Sequence, residues 1–407
     1  MTLVPIPART PPPKPTGLRR RVRAYLATAA SWALTRGVAM QAQDAFANVR
    51  WNRHGGGEIL LVRHPTFMPF FYNGFLHWLV RNFPDCRRHF RLAYLPCALP
   101  ASPRPRLIVP WIQDPIESWS PEAYRQTVAL TAAADAAGIG VINRPEHLTN
   151  IKKSATAAIL APLGIRTPRT LRLSGRHALQ QALDSFPRPF FIRNDESHSG
   201  RLRLIQAGDA IGFEELTEFA TPVAIEFINT QSPDGLYRKF RYQAAGEFGI
   251  GVHQVTSRFW EVRDRMKQRD DAAYREEAAY LAQPDPHHAI LQRARAAMQL
   301  DFVAFDYAYD HDGRLTVWEA NGYPSLFFSP PELGLKFRDA PMHRIFAAML
   351  GLYLDRAGLK VPEPVDLLRR YTPISAQRIG DLDASIGIRQ KLMPPYASPR
   401  GLFAPRF

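Results

Sequence analysis

Two runs of four or five consecutive apolar residues, inside EILLVRH (58–64) and RPRLIVPWIQDP (104–115), constrain this chain most. A strand with one face in water alternates apolar and polar residues, whereas a strand covered on both faces does not, and double cover is characteristic of parallel sheets flanked by helices. HFRLAYLPCA (89–98) reads as a third strand and Ile139 to Ile142 as a fourth. Between them Ser120 to Ala137 reads as a helix, with Ser as its cap, Pro at its first position and Gly138 just beyond its end. Strands alternating with helices over residues 58–143 predict a small open α/β domain.

The chain has 407 residues, 46% hydrophobic and 22% charged, which suits a folded soluble protein of two or three domains. No uncharged apolar run reaches the roughly 18 to 20 residues of a bilayer-spanning helix. Cys86 and Cys97 are the only cysteines, too few for a disulfide framework or a multi-cysteine zinc site, so a reducing, cytoplasmic setting is expected. The net charge of +15 is uneven: residues 1–53 carry nine Lys/Arg against one acid, and residues 367–407 carry seven against two. Basic arms around a near-neutral body fit an acidic peptide, an anionic surface or a solvated flank. Specific nucleic-acid binding is not expected, because no base-stacking module accompanies the charge. Residues 1–17 hold six prolines and read as an extended leader, and 18–50 as a basic amphipathic helix, with a targeting segment as the alternative reading.

Further along, a helix is expected over about 150–163, ending at Gly164, followed by strands at TLRL (170–173), PFFIRND (189–195), PVAIEFINT (222–230), Tyr237 to Ala245 and Gly251 to Ser257. A helical block spans 272–300, broken at Pro284 and Pro286, and another helix spans 341–357. LDFVAFDYAYD and RLTVWEAN form a hairpin across His311, Asp312 and Gly313, since Asp-Gly supplies the positive φ such a turn needs. Asp306 lies on one strand of this hairpin, and Glu319 and Asn321, two residues apart, share one face of the other. Two carboxylates and a carboxamide together make a hard oxygen site suited to magnesium, which takes few protein ligands plus phosphate oxygens and water.

These motifs resemble the ATP-grasp superfamily, which includes glutathione synthetase and the ribosomal-protein glutamate ligases. There a strand with a metal-binding Asp leads through a Gly turn to Glu-x-Asn and a Pro-containing loop, as Asp306, Glu319, Asn321 and Pro324 do here. VINRPEHLTNIKKSATAAILAPLGIRTPRT (141–170) resembles the entry into the family's ATP-binding half, with Lys153, Thr156 and Gly164 in register and Lys152 as the alternative lysine. The resemblance implies an α/β (α+β ATP-grasp) fold, a pre-ATP-grasp domain followed by two subdomains that clasp ATP. Its bounds would be a leader and helix at 1–53, the pre-ATP-grasp domain at 54–145, a small lid subdomain at 146–220, a large subdomain with the metal site at 221–335, and a C-terminal helix and basic tail at 336–407.

The same resemblance implies nucleotide contacts from Lys153, from Arg193 in place of the family's second lysine, and from Glu226, Phe227 and Ile228 at the hinge. Ser197, Ser199 and Gly200 would form a flap poor in glycine. Lys239 and Arg241 share a strand face, Lys239 toward the phosphates and Arg241 as a catalytic cation. Arg258 falls where related ligases hold another phosphate or substrate arginine. By contrast His253 reads as a packing residue and His287 and His288 as solvated.

The expected chemistry is ATP- and Mg2+-dependent joining of a carboxylate to an amine or thiol through an acylphosphate, with Mn2+ as an alternative metal. A small molecule or a peptide can fill either substrate role. An ATP-grasp kinase or phosphotransferase and a nucleotide-binding protein without ligase activity are the competing readings. The oligomeric state is left open, with a homodimer among the options.

Overall fold

The computed structural model describes residues 51–53, 56–63, 73–112, 115–196, 201–263, 266–324, 326, 328–329, 334–371 and 378–384. The leader and helix expected over 1–50, the flap residues Ser197, Ser199 and Gly200, and the tail beyond 384 lie outside them. The described strands form three sheets of four strands each.

The first sheet contains β1 (Ile59–Arg63), β2 (Phe90–Tyr94), β3 (Leu107–Trp111) and β4 (Gly140–Val141) in the order β2-β1-β3-β4. All its neighbours are parallel. The apolar runs divide between two cores by strand alternation. Ile59, Leu61, Leu107, Val109 and Trp111 enter the main core, while Leu60, Val62 and Ile108 pack with Ala123, Leu130 and Ala134 of helix Pro121–Ala136. Ser120 precedes that helix without a side-chain cap bond, so Pro121 alone marks its start.

The second sheet, β5-β8-β6-β7, is antiparallel and comprises β5 (Thr170–Arg172), β6 (Phe190–Asn194), β7 (Leu202–Ile205) and β8 (Pro222–Glu226). It has its own small core, in which Phe190, Ile192 and Ile205 meet Leu179, Ala182 and Phe186 of helix Arg176–Ser185 and its C-terminal flank.

The third sheet, also antiparallel, runs β10-β9-β11-β12, with β9 (Tyr237–Ala245), β10 (Phe248–Ser257), β11 (Phe302–Tyr309) and β12 (Leu315–Asn321). Gly313 takes φ +74° in the hairpin between β11 and β12, as its Asp-Gly sequence requires. Asp310 closes the turn by accepting from the backbone N–H groups of Asp312 and Arg314.

Helix Asp339–Arg356 joins the first and third sheets in one core. Phe75, buried in helix Asn73–Asn82, sits among the rings of Trp78, Phe90, Trp111, Phe346 and Tyr353. Trp111 donates to the Tyr353 hydroxyl at 3.1 Å. Asn143, just after β4, fixes the same junction. Its Oδ1 accepts from the N–H groups of Asp301 and Phe302, and its Nδ2 donates to the carbonyls of Phe302 and Gly322. His287 and His288 correct the solvated reading: the first pairs with the Tyr309 hydroxyl at 2.8 Å and the second with the Tyr242 hydroxyl at 2.9 Å. They lie at the start of helix His288–Ala297, which packs against β9, β10 and β11.

The parallel first sheet fits the small open α/β domain expected over 58–143, and the mixture of parallel and antiparallel sheets fits the expected α/β (α+β) class. Among the described residues no helix is long and apolar enough to cross a membrane. Because the second sheet has a separate core, Phe190→Ala should cost about 3–5 kcal/mol there and leave the main core intact. Hydrogen exchange should then show protection lost over 170–226 first; an even loss across all three sheets would contradict the division.

Candidate active site

The third sheet carries a row of polar residues across all four strands. Its register pairs His253 with Arg241, Arg241 with Asp306, and Asp306 with Glu319. Directly paired residues share a face, so the four side chains stand side by side. The register shifts beside the row in both outer pairings, between Gly251 and His253 where β10 meets β9 and between Asp306 and Tyr307 where β11 meets β12. Bulges of this kind re-aim side chains and recur next to functional sites.

Asp306 is the centre of the row and is 1% exposed. Arg241 binds it through two nitrogens, Nε at 2.6 Å and an Nη at 2.9 Å, and Lys239 Nζ adds a third contact at 3.1 Å. Burial alone would push this carboxyl up; Arg241 and Lys239 outweigh burial and the repulsion of Glu319, and hold it below the usual carboxylate range. Arg238, on the other face of β9, is committed to Asp234 and Glu276. Strand alternation thus separates the two arginines as their three-residue spacing predicts.

Lys153 opens helix Lys153–Leu160, is 5% exposed, and places Nζ 3.8 Å from a Glu319 oxygen. Lys152 points elsewhere and is held by Glu117 at 2.9 Å and Glu196 at 2.8 Å. Of the two lysines, only Lys153 therefore reaches the carboxylate row. Asp195, at the end of β6, holds the start of this helix by accepting from Ser154 N at 2.8 Å and Ser154 Oγ at 2.6 Å. Its carbonyl accepts from the Lys153 backbone N–H and Nζ. Nothing in the sequence around Asp195 signals this long-range cap, which binds the second sheet to the lysine that faces the third.

The remaining expected residues are placed less centrally. Arg193 lies on β6, two residues before Asp195, between Leu202 and Val223 of the flanking strands. β8 ends at Glu226, so Phe227 and Ile228 fall just beyond the strand. The Glu226 carboxylate turns back to accept from Arg169 N at 3.0 Å. Phe227 meets Trp260 edge-on at 5.4 Å, and Trp260 stacks on Phe191 of β6 at 6.2 Å, so an aromatic contact spans the second sheet and the loop after β10. Arg258 is exposed on that loop. A cleft of about 540 Å3 opens beside Lys152, Arg172 and Asp195 rather than over the row.

Among the described residues no cluster of three or more His, Cys, Asp or Glu side chains gathers to hold a metal. A cation at the row would therefore have two carboxylates and one amide from the protein, with phosphate and water oxygens completing its shell. Magnesium favours that coordination and zinc does not. Asn321 fits this role: its Nδ2 is buried with no hydrogen-bond partner, and a half-turn of the amide presents the oxygen at the same point.

Removing the Asp306 charge would leave Arg241 and Lys239 uncompensated, so Asp306→Asn should cost about 3–5 kcal/mol. Because the carboxyl is held low, the advantage of the native protein should be full above pH ~4 and disappear only as pH falls through the depressed value. Denaturant melts of both forms measure this; an advantage fading between about pH 5 and 6 would contradict the pairing.

No protein-family model matches the chain, and no curated protein matches it. Solved structures do. The ATP-grasp ligase PsnB, complexed with a phosphomimetic variant of its minimal precursor, Mg and ADP, aligns over 74% of this chain and 99% of its own at 15% identity and TM-score 0.45. A RimK domain ATP-grasp protein from Sphaerobacter thermophilus aligns over 72% of this chain and 99% of its own at 15% identity and TM-score 0.45. The VanG D-Ala:D-Ser ligase from Enterococcus faecalis aligns over 73% of this chain and 99% of its own at 12% identity and TM-score 0.45.

Proposed function

We propose that this protein is an ATP-dependent ligase that activates a carboxylate as an acylphosphate and joins it to an amine or thiol. The observation that carries the reading is the convergence of Arg241, Lys239, Asp306 and Glu319 on one sheet face with Lys153 entering from a separate helix. Five charges of both signs gathered at one place match a polyphosphate and its counter-ion better than they match a need of the core, which apolar residues fill more cheaply.

In this reading Asp306, Glu319 and Asn321 hold magnesium. When bound, the ion would offset the charge of the β and γ phosphates. Lys153 and Lys239 bind phosphate oxygens from opposite sides, and Arg193 adds a planar cation from β6. Phe227 and Ile228, beyond the end of β8, offer backbone groups to the base, with Glu226 beside them. The second sheet acts as a lid over the nucleotide. Arg241 faces the transferring phosphoryl group, and Arg258 reaches the mouth of the site toward an anionic substrate. Joining the two substrates needs no protein nucleophile; positioning and electrostatic stabilisation supply the rate. An amino acid or peptide is the substrate class favoured by the surplus of cations, and the basic termini would recruit an acidic one.

Glu319→Gln keeps the shape of the side chain and removes one charge, so ADP release should fall by about 10²-fold or more with little change in melting temperature. Lys153→Ala should weaken ATP binding measured by calorimetry, whereas Lys152→Ala, which breaks a bridge to Glu117 and Glu196, should lower stability and leave ATP affinity near that of the native protein. Equal ATP affinity for native protein and Lys153→Ala would contradict the proposed nucleotide site.

A further inference from the structure

We infer that His253 is the general base that takes a proton from the attacking amine, an assignment that rests on the ligase reading. His253 occupies the fourth position of the polar row, directly opposite Arg241 on β10. Two strand spacings, about 10 Å, separate it from Asp306, which leaves room for an acyl group lying over Arg241. Its Nδ1 lies 3.3 Å from Glu277 Oε1. Glu277 is 2% exposed and is gripped from behind by Arg338, whose Nε donates to Oε1 at 2.9 Å and whose Nη donates to Oε2. Burial would push the Glu277 carboxyl up, but the bonds to His253 and Arg338 hold it below the usual range, so it stays charged.

This carboxylate fixes one ring nitrogen and leaves the other. Among the described residues no other hydrogen bond engages the ring, and the side chain is 28% exposed. A packing histidine has no need of a buried, charged and separately anchored partner, whereas a proton acceptor does, because the partner sets the tautomer and steadies the imidazolium that forms. The charges that bear on the ring are Glu277 from helix Asp271–Leu281 and Arg241 and Lys239 from β9. Burial, helped by the two cations and opposed by Glu277, keeps the imidazole neutral at pH 7 and able to accept.

The step balances without further reactants. The amine nitrogen forms a bond to the acyl carbon, the carbon–oxygen bond to phosphate breaks, and the electron pair leaves with the phosphate. The nitrogen's surplus proton passes to Nε2 of His253 and from there to solvent.

The test compares native protein with His253→Gln, using Mg2+ and ATP, a panel of amino acids and acidic peptides as carboxylates, and two kinds of nucleophile. Hydroxylamine, unprotonated at neutral pH, traps an acylphosphate without needing a base. The expected result is equal hydroxamate and ADP formation by both forms, with amide formation from amino-acid amines about 10²–10⁴-fold slower in His253→Gln. That deficit should shrink as pH rises, with the carboxylate KM unchanged. Amide formation equal to that of native protein, or hydroxamate falling in step with amide, would overturn the assignment. Native protein yielding neither hydroxamate nor ADP would instead defeat the ligase reading and the base with it. NMR titration of the native His253 ring tests the same point should the variant fail to fold: a value below the ordinary ~6.5 is expected, and one above it would exclude a neutral base.

Discussion

A single buried carboxylate, that of Asp306, organises the polar face of the third sheet. It is shared by a guanidinium and an ammonium from β9 and lies beside Glu319 of β12, so three strands meet at one charge. A charge 1% exposed is tolerated only with partners of good geometry, and the fork from Arg241 supplies two parallel bonds. Loss of any member would leave another uncompensated in a poorly hydrated place. The sheet register and its two bulges are therefore tied to the electrostatics of the row as much as to the apolar core behind it.

The same arrangement carries a conflict that suits a site meant to be filled. Asp306 already accepts three bonds, so a metal ion competes with Arg241 and Lys239 for its oxygens. In the proposed ligase, nucleotide phosphates would resolve the conflict, since they would give both cations new partners while the ion takes the carboxylate. Metal and nucleotide should accordingly bind together more strongly than either alone, a coupling that follows from shared charges and needs no conformational switch. The Asp195 cap extends the coupling to the second sheet, because the helix that presents Lys153 is held by the end of β6.

Much of this architecture is legible in the chain. The runs ILLV and LIVPW signal strands covered on both faces, and they are, because each alternates between two cores. Asp312-Gly313 marks the hairpin, and two-residue spacing puts Glu319 with Asn321 on one strand face and Lys239 with Arg241 on another, while only the sheet register brings Asp306, Glu319 and Arg241 side by side. Other features depend on contacts distant in sequence. Helix Arg176–Ser185 and strand Leu202–Ile205 are absent from the sequence reading, because they pack only toward a small core of their own. Asp195 looks like any polar strand end until Ser154 meets it 41 positions away. His253 reads as packing in the sequence because its partner Glu277 lies in a later helix, itself anchored by Arg338 61 residues on. His287 and His288 read as solvated because the tyrosines that bind them come from β9 and β11.

In the proposed ligase, Asp306 and Glu319 hold a cation against nucleotide phosphates. Crystals grown with ADP and Mn2+ in place of Mg2+ test it most directly, because anomalous scattering locates the ion without bias. One or more ions are expected about 2.0–2.3 Å from oxygens of Glu319 and Asp306, with phosphate oxygens on the opposite side and Arg241 withdrawn from at least one Asp306 oxygen. An ion or nucleotide bound elsewhere, with the fork between Arg241 and Asp306 intact, would contradict it.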